Sequence, residues 1–309
     1  MTITPILHQW AGSPVSEKAR LLLGFKRIPW LAVETPDAMP KPDLTPLTGG
    51  YRKAPVLQIG ADIYCDSALI AKVLERLQPE PTLYPTSAPL AEQFAQWADS
   101  ILFMACVAWS AQPAGAAVLF AHMSLDQRKA FAADRAAFVA GHARQRPAEA
   151  RGQVLRHLGA LEAQLADGRQ FLFGGAASIA DFSAAHPLWF VRRAAPVAGI
   201  LAPYAALNAW LDRMLGYGHG DFQRIDGVEA IAIARAATTH ASCAVQPDQG
   251  LEAGAAVTVA ATDTGREPST GKLVGLNDAE VVLSRHDERA GTLHVHFPRY
   301  GFQIKQEST

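Results

Sequence analysis

The sequence has little cysteine and no C-x-x-C pair. Its 309 residues include only Cys65, Cys106 and Cys243, which lie far apart along the chain. This spacing excludes a zinc ribbon and a disulfide framework, and it favours a reducing compartment, so we expect the protein in the cytoplasm.

The sequence also lacks an excess of charge of either sign and any long apolar run. Lysine and arginine number 28 against 29 aspartate and glutamate, and no basic cluster stands out, so no nucleic-acid partner is expected. The N-terminal MTITPILHQW lacks the charged and long apolar segments of a secretory signal. No apolar run is long enough to span a bilayer, and we expect no membrane partner.

Residues 1–80 alternate between strand and helix patterns. Short apolar runs bounded by turn residues predict strands at 3–8, 30–35, 54–60 and 62–65. Apolar residues at helical spacing predict helices at 16–25 and 66–79. The predicted order is therefore β-α-β-loop-β-β-α, an α/β domain.

A proline-rich linker at 80–88 separates this domain from long Ala- and Leu-rich stretches with helical periodicity. These stretches predict an all-α helical bundle over 89–235. The predicted helices are 89–108, 124–143, 147–166, 178–193 and 203–215.

Past residue 235 the pattern changes again, to short β-rich runs separated by Gly, Asp and Asn. Five such runs over 240–309 predict a small β-barrel domain of SH3-like type, because closing the sheet leaves no long edge exposed. The predicted fold class is multidomain α+β, with an α/β domain, a helical bundle and a small barrel. The role of the barrel is unknown from the sequence.

Four motifs in this arrangement resemble the glutathione transferase family. They are SPVSEKARLLL after the first strand, RKAPVL before the third, CDSALIAKVLE at 65–75 and SIADF at 178–182. The resemblance covers roughly residues 1–220 and implies a thioredoxin-like glutathione-binding domain followed by the family's helical domain. It also implies a homodimer and a role in detoxification.

The resemblance assigns glutathione-binding roles around the third strand and the second long helix. Pro55 is implied to be cis, with the backbone of Ala54 pairing with the cysteinyl part of glutathione. Asp66 and Ser67 are implied to hold the γ-glutamyl end, although both also suit simple helix capping. Lys53 could reach the glycyl carboxylate, and a solvated lysine is the equal alternative.

Two serines after the first strand are candidates for the catalytic hydroxyl. Ser13 before Pro14 suits an N-cap, and capping alone would explain the sequence. The resemblance implies that Ser13 donates to the glutathione sulfur and stabilises its thiolate for attack on an apolar electrophile, with Ser16 as the fallback. Neither position holds the cysteine that thiol reductase chemistry requires.

The electrophile is expected between the two domains. Candidate lining residues are Trp10, Phe103 and Val107, for which packing in the core is the alternative reading. His8, at the position where many family members carry a tyrosine, is expected to be structural. The Ser178–Asp181 segment fits a buried capping box and is expected to be structural too.

No metal is expected from the sequence. His294 and His296 share one face of a predicted strand, but no acidic or cysteine partner accompanies them at ligand spacing, so solvated strand histidines are the favoured interpretation. His240 and His286 are interpreted in the same way.

The leading functional hypothesis is a glutathione transferase-like enzyme. Its rival is a non-catalytic protein that keeps the fold, binds glutathione or another ligand, and uses residues 240–309 to capture a partner.

Overall fold

The computed structural model of the protein describes residues 4–141 and 145–307. Its N-terminal part confirms the predicted order of strands and helices. The elements are β1 (Ile6–Gln9), α1 (Pro14–Lys26), β2 (Trp30–Glu34), α2 (Thr45–Thr48), β3 (Val56–Ile59), β4 (Asp62–Cys65) and α3 (Ser67–Leu77). Strand β1 pairs in parallel with β2 and antiparallel with β3, which pairs antiparallel with β4.

The helical region follows the linker. Its helices are α4 (Ala91–Trp97), α5 (Phe103–Ser110), α6 (Pro113–Leu119), α7 (Leu125–Phe138), α8 (Pro147–Leu165), α9 (Ile179–Arg193) and α10 (Ala205–Leu215). A π-helical turn at 98–102 joins α4 to α5, and a 3₁₀ segment spans 195–201. Helix α9 lies at the centre, in contact with α1, α4, α5 and α10. The predicted helix 124–143 ends at Phe138, and residues 142–144 lie outside the described part of the chain.

The capping box at the start of α9 is confirmed. The Asp181 carboxylate accepts hydrogen bonds from the Ser178 backbone N–H at 2.9 Å and from the Trp210 indole N–H at 3.0 Å. Both Ser178 and Asp181 are fully buried, as a structural role requires.

No single helix in the described ranges combines the length and apolar character needed to cross a membrane. One pair bent by 93°, Ala91–Ser110 with Pro113–Leu119, passes the same test when taken together.

The segment after α10 returns to the N-terminal sheet. Strand β5 (Phe222–Arg224) pairs in parallel with β2, and α11 (Gly227–Ala236) contacts both β2 and the C-terminal sheet. The predicted helical region runs to residue 235, although its last predicted helix ends at 215. In the structure Ala230 of α11 packs with Ile6 and Val33 of the sheet.

The C-terminal region is an open sheet rather than the predicted SH3-like barrel. Its strands are β6 (Ala256–Ala261), β7 (Ser269–Leu276), β8 (Glu280–Asp287), β9 (Gly291–Pro298) and β10 (Phe302–Gln306). Among the described residues the strand order is β10-β6-β7-β8-β9-β4-β3-β1-β2-β5, a single ten-stranded sheet. The barrel prediction is not confirmed, because β9 pairs in parallel with β4 and, in the described part of the chain, the sheet is not closed between β9 and β10.

The two ends of the chain also share a hydrophobic core. Val56 and Ile63 of the N-terminal sheet pack in one cluster with Leu293, Val295 and Phe297 of β9, and all five are at most 1% exposed. Tyr51 contacts Phe297 edge to face, with ring centroids 5.9 Å apart. Burial of this apolar surface therefore joins the C-terminal strands to the N-terminal domain.

Candidate functional site

The sheet topology brings the predicted glutathione-binding segments to one edge. Strands β1 and β4 both run antiparallel to β3, with His8 opposite Val56 and Val56 opposite Cys65. The end of β1, the start of β3 and the end of β4 therefore lie side by side. Ser13, Ala54 and Ser67 follow or precede these strand ends by only a few residues, so the fold places them at the same edge.

Ser13 and Ser16 occupy different environments at the start of α1. Ser13 is the N-cap, and its hydroxyl oxygen accepts a hydrogen bond from the Ser16 N–H at 3.2 Å, which leaves its proton free to donate. Ser13 is 6% exposed, whereas Ser16 is fully buried. Only Ser13 retains solvent access, and so the environment favours it over Ser16 as a ligand contact.

The loop between β1 and Ser13 is held from several sides. The Arg20 guanidinium donates to the Trp10 and Ala11 carbonyls, and the Glu34 carboxylate accepts from the Ala11 N–H at 2.7 Å. Arg193 of α9 donates to the Gly12 carbonyl at 3.3 Å. These contacts, which the sequence did not indicate, fix the approach to Ser13.

The segments around Pro55 and Ser67 have the local geometry expected of them. The Ala54–Pro55 peptide bond is cis. Asp66 has a positive φ of 79° and caps α3, its carboxylate accepting from the Ala68 N–H at 2.8 Å. Loss of solvent around Asp66 raises the pKa of its carboxyl. Ser67 opens the helix and is 6% exposed.

Lys53 is partly buried and pairs with a carboxylate of the C-terminal region. Its ammonium lies 2.5 Å from the Asp263 carboxylate, and neighbouring Arg52 pairs with Glu267 at 2.9 Å and with Asp134 of α7. Asp263 and Glu267 belong to the β6–β7 loop. The C-terminal region thus supplies carboxylates next to the predicted site.

A buried polar network lies behind Ser67, and no local sequence pattern indicates it. The Lys18 ammonium of α1 lies 3.4 Å from the Ser67 hydroxyl and 2.6 Å from the Asp99 carboxylate of the π-helical turn. The hydroxyl of Ser183 and the ring of His186, both on α9, also contact Asp99, at 3.1 and 3.0 Å. Lys18 and His186 hold the pKa of Asp99 at about 2, although burial alone would raise it. The network ties the helical region to the predicted γ-glutamyl end of the site.

The three residues predicted to line the electrophile pocket lie in two different places. Trp10 contacts Phe131 of α7 at 5.8 Å between ring centroids, and Phe131 contacts Phe120 at 4.9 Å. Phe120 packs with Val107 in one apolar cluster, so Trp10 and Val107 border the same aromatic surface. Phe103 instead packs on the ring of His186. The lining role of all three residues stays a prediction.

His8 is structural in its surroundings, as expected. It is fully buried in the sheet, where its Nε2 lies 2.7 Å from the Gln58 amide oxygen, and burial lowers its pKa to about 4.

The interpretation of the strand histidines as solvated is wrong for His296. This residue is 1% exposed and its ring Nε2 lies 3.0 Å from the Asp62 carboxylate. The acidic partner missing from the local sequence comes from β4, because the β4–β9 pairing sets Asp62 opposite His294. His240 also lies close to Asp62, with its Nδ1 3.8 Å from the carboxylate, whereas His286 is exposed.

Two surface clefts lie elsewhere on the molecule. One is lined by residues 167–170 and 173–175, and the other by residues that include Lys72, Tyr84 and Glu92. Neither contains a predicted site residue.

The thioredoxin-like sheet with its cis-proline and the helical region around α9 define the class of fold. Two family models match the chain: "Glutathione S-transferase, N-terminal domain" over residues 7–82 and "Glutathione S-transferase, C-terminal domain" over residues 135–213. A GST-like protein from Pseudomonas syringae, known from a crystal structure at 2.4 Å, is 40% identical, with a TM-score of 0.81. The match covers 99% of this chain and 100% of that protein. The chain belongs to the glutathione S-transferase family.

More distant structures share the fold over a smaller part of the chain. A glutathione S-transferase from Rhodospirillum rubrum F11 is 20% identical, with a TM-score of 0.52, and the match covers 69% of this chain and 88% of that one. Glutathione transferase GSTFuA3 from Phanerochaete chrysosporium is 18% identical, with a TM-score of 0.56, over 72% of this chain and 100% of that one. No curated protein sequence matches the chain. Only the Pseudomonas syringae protein, of these three, spans the C-terminal strands as well.

Proposed function

We propose that this protein binds glutathione where the ends of β1 and β4 meet the start of β3, next to Ser13, Ala54 and Ser67. We propose further that it conjugates glutathione to an apolar electrophile. The observation that carries the proposal is the convergence of these three segments, which follows from the pairing of β3 with both β1 and β4. Family membership supports glutathione as the co-substrate.

Each segment offers a group suited to one part of the tripeptide. The backbone of Ala54 can pair with the cysteinyl unit as an added strand does. Asp66 faces the ammonium, and the Ser67 hydroxyl with the N-terminus of α3 faces the carboxylate of the γ-glutamyl end. Lys53 meets the glycyl carboxylate in competition with Asp263.

The chemical step is a nucleophilic attack by sulfur. The thiol of glutathione loses its proton to solvent, and the Ser13 hydroxyl donates a hydrogen bond that stabilises the thiolate. The thiolate electron pair forms the new carbon–sulfur bond, and the leaving group departs with the electrons of the bond that breaks. The apolar surface of Trp10, Phe131, Phe120 and Val107 holds the electrophile.

The proposal is tested by conjugation to an activated aryl chloride. We expect turnover with glutathione and little with free cysteine at the same thiol concentration, because cysteine lacks the γ-glutamyl and glycyl ends. Ser67→Ala should raise the KM for glutathione. Equal rates with both thiols would contradict the site, and glutathione binding without any turnover would favour the non-catalytic alternative.

We extend the proposal to a homodimer in the cytoplasm. Strand β9 occupies the edge of β4, so a dimer of this chain must use other surfaces. Light scattering of the full chain gives the oligomeric state.

A further inference from the structure

Three potential metal ligands from distant parts of the chain meet where β4 and β9 pair. They are the Asp62 carboxylate at the start of β4, His294 on β9, and His240 in the segment between α11 and β6. The Nδ1 atoms of His240 and His294 lie 3.8 and 4.0 Å from the Asp62 Oδ1, and the three ligand atoms all lie within 4.8 Å of one another. The two imidazoles stack, with centroids 3.8 Å apart and planes inclined by 17°.

The histidine nitrogens that face Asp62 lack hydrogen bonds. The Nδ1 atoms of His240 and His294 are buried, and none of the residues described by the structure offers either a hydrogen-bond partner. Buried polar atoms in native proteins are almost always satisfied, and an ion is one of the explanations for an exception. Two such atoms directed at one carboxylate point to a shared ligand.

The carboxylate itself is held in place by other groups. The Asp62 Oδ2 accepts from the Ala241 N–H at 2.9 Å, and the Oδ1 lies 3.0 Å from the His296 ring nitrogen. Hydrogen bonds of this kind orient the ligands of metal sites.

The donor set and the distances suit a divalent transition metal. Imidazole nitrogen and carboxylate oxygen are both ligands for Zn²⁺, at about 2.0 to 2.2 Å, which puts two tetrahedral ligand atoms roughly 3.4 Å apart. The distances of 3.8 and 4.0 Å from the two histidines to Asp62 exceed this value by about half an ångström, and all three ligand atoms lie within 4.8 Å of one another. Binding therefore requires the ligands to draw together, and His240, which lies outside any helix or strand, is the one placed to move. Three protein ligands leave a fourth position for water, and the partial exposure of His240 and His294 keeps that side open.

We propose that Asp62, His240 and His294 form a binding site for one divalent transition-metal ion of the Zn²⁺ kind. The ion would link β4 of the N-terminal domain, the segment after α11, and β9 of the C-terminal sheet. Asp62 and Ser67 are separated by five residues of mostly extended chain, about 16 Å, so the ion does not touch the proposed glutathione site. The ion would therefore connect the two ends of the chain without taking part in the proposed glutathione reaction.

The test is titration of the full, chelator-treated chain with Zn²⁺ by calorimetry, followed by visible absorption with Co²⁺. We expect one equivalent per chain, a tetrahedral-type Co²⁺ spectrum and a raised thermal midpoint in the presence of Zn²⁺. His240→Ala should weaken binding by about 100-fold or more, because it removes a ligand rather than an outer partner. Its position outside the sheet makes it the variant that should still fold.

His286→Ala is the matched control, since His286 is exposed on β8 of the same sheet. It should bind Zn²⁺ as the wild type does. Asp62→Asn and His294→Ala should behave like His240→Ala, and circular dichroism shows whether each is folded. Absence of stoichiometric Zn²⁺ binding by the wild type, or unchanged binding by folded His240→Ala, would overturn the site. Glutathione binding is measured separately, so failure of one proposal does not decide the other.

Discussion

At the scale of single residues, Ser13 combines two tasks in one hydroxyl. Its oxygen accepts from the Ser16 N–H and caps α1, and in the proposed mechanism its proton is donated to the glutathione sulfur. A change at Ser13 therefore affects both stability and thiolate formation, and the two effects have to be separated.

We predict that Ser13→Ala lowers conjugation roughly 10- to 100-fold and raises the pKa of bound glutathione thiol, because a hydrogen bond to an anion is lost. Loss of the cap should cost about 1 kcal/mol of unfolding free energy. Steady-state kinetics and the pH dependence of thiolate absorbance measure the first effect, and urea unfolding measures the second.

Ser124→Ala provides the matched control, because Ser124 caps α7 in the same way, accepting from the Gln127 N–H at 3.2 Å. It should lose stability but keep its activity and thiol pKa. Ser13→Thr, which retains the hydroxyl, should recover most of the rate. Full activity in Ser13→Ala would assign the thiolate contact elsewhere.

Asp99 lies behind the predicted site, and the neighbouring Lys18 and His186 lower the pKa of its carboxyl. Its pKa is about 2 in the folded protein, below its usual range, so its contribution to stability is complete above pH ~4 and is lost as the pH falls towards 2. The shift corresponds to about 2 kcal/mol. We predict that Asp99→Asn removes this part of the acid sensitivity, measured as unfolding free energy against pH.

At neutral pH Asp99→Asn should cost about 3 kcal/mol or more, because Lys18 is left buried without its carboxylate. The double variant Lys18→Met/Asp99→Asn should regain part of that loss. Equal stability of the wild type and Asp99→Asn at all pH values would contradict the role of this ion pair.

The residues of α1 show where sequence reasoning reaches its limit. Ser13 and the cap at the helix start were predictable from local pattern alone. Glu17, Lys18, Arg20 and Lys26 look like a solvated face in the sequence, yet all four are at most 5% exposed. Their partners lie in distant elements, such as Asp99 for Lys18 and Glu75 for Lys26, and no local spacing reveals those pairs.

At the scale of elements, the β6–β7 loop reaches the proposed glutathione site through Asp263 and Glu267, which pair with Lys53 and Arg52 respectively. The Asp263 side chain is largely exposed, so its pairing with Lys53 is weak in free energy and easily displaced. A glycyl carboxylate could replace it.

We predict that Asp263→Asn increases glutathione affinity by up to about fivefold at low salt, because it removes a competitor for Lys53. Lys53→Met should reduce affinity in the same calorimetric assay. Asp126→Asn, which alters an exposed ion pair on α7, is the control and should have no effect. An unchanged or lower affinity in Asp263→Asn would argue that Lys53 does not meet glutathione.

The pairing of β4 with β9 could not be predicted from the sequence. The alternation of apolar residues in β9 fits a barrel and an open sheet equally, since both bury one face. Which edge β9 joins depends on a partner about 230 residues away, Asp62 against His294. The same separation in sequence is the reason that Asp62 could not be predicted as the acidic partner of His294 and His296.

At the scale of the whole molecule, the shared core implies that the N-terminal and C-terminal parts of the sheet unfold together. The six tryptophans all precede residue 240, so tryptophan fluorescence reports only on the N-terminal and helical parts. A destabilising change in β9 should nevertheless move the fluorescence transition. The domain boundaries at 80, 89, 235 and 240 stay predictions.

We predict that Phe297→Ala lowers the unfolding free energy by about 3 to 5 kcal/mol, measured by tryptophan fluorescence in urea, because it empties a core shared with Tyr51. Tyr300→Ala, an aromatic three residues away with 71% exposure, is the control and should change it by less than about 0.5 kcal/mol. An unmoved fluorescence transition in Phe297→Ala would show that the C-terminal strands unfold independently.

The central claim, a glutathione site at the edge formed by the ends of β1 and β4 and the start of β3, is tested most directly by calorimetric titration of glutathione. The variant is Asp66→Asn, which keeps the side-chain size and the oxygen that caps α3 while removing the charge. Asp226→Asn, the same change at the cap of α11, is the control. We predict wild-type affinity in Asp226→Asn and a loss of about tenfold or more in Asp66→Asn. No binding by the wild type, or equal binding by Asp66→Asn, would contradict the account.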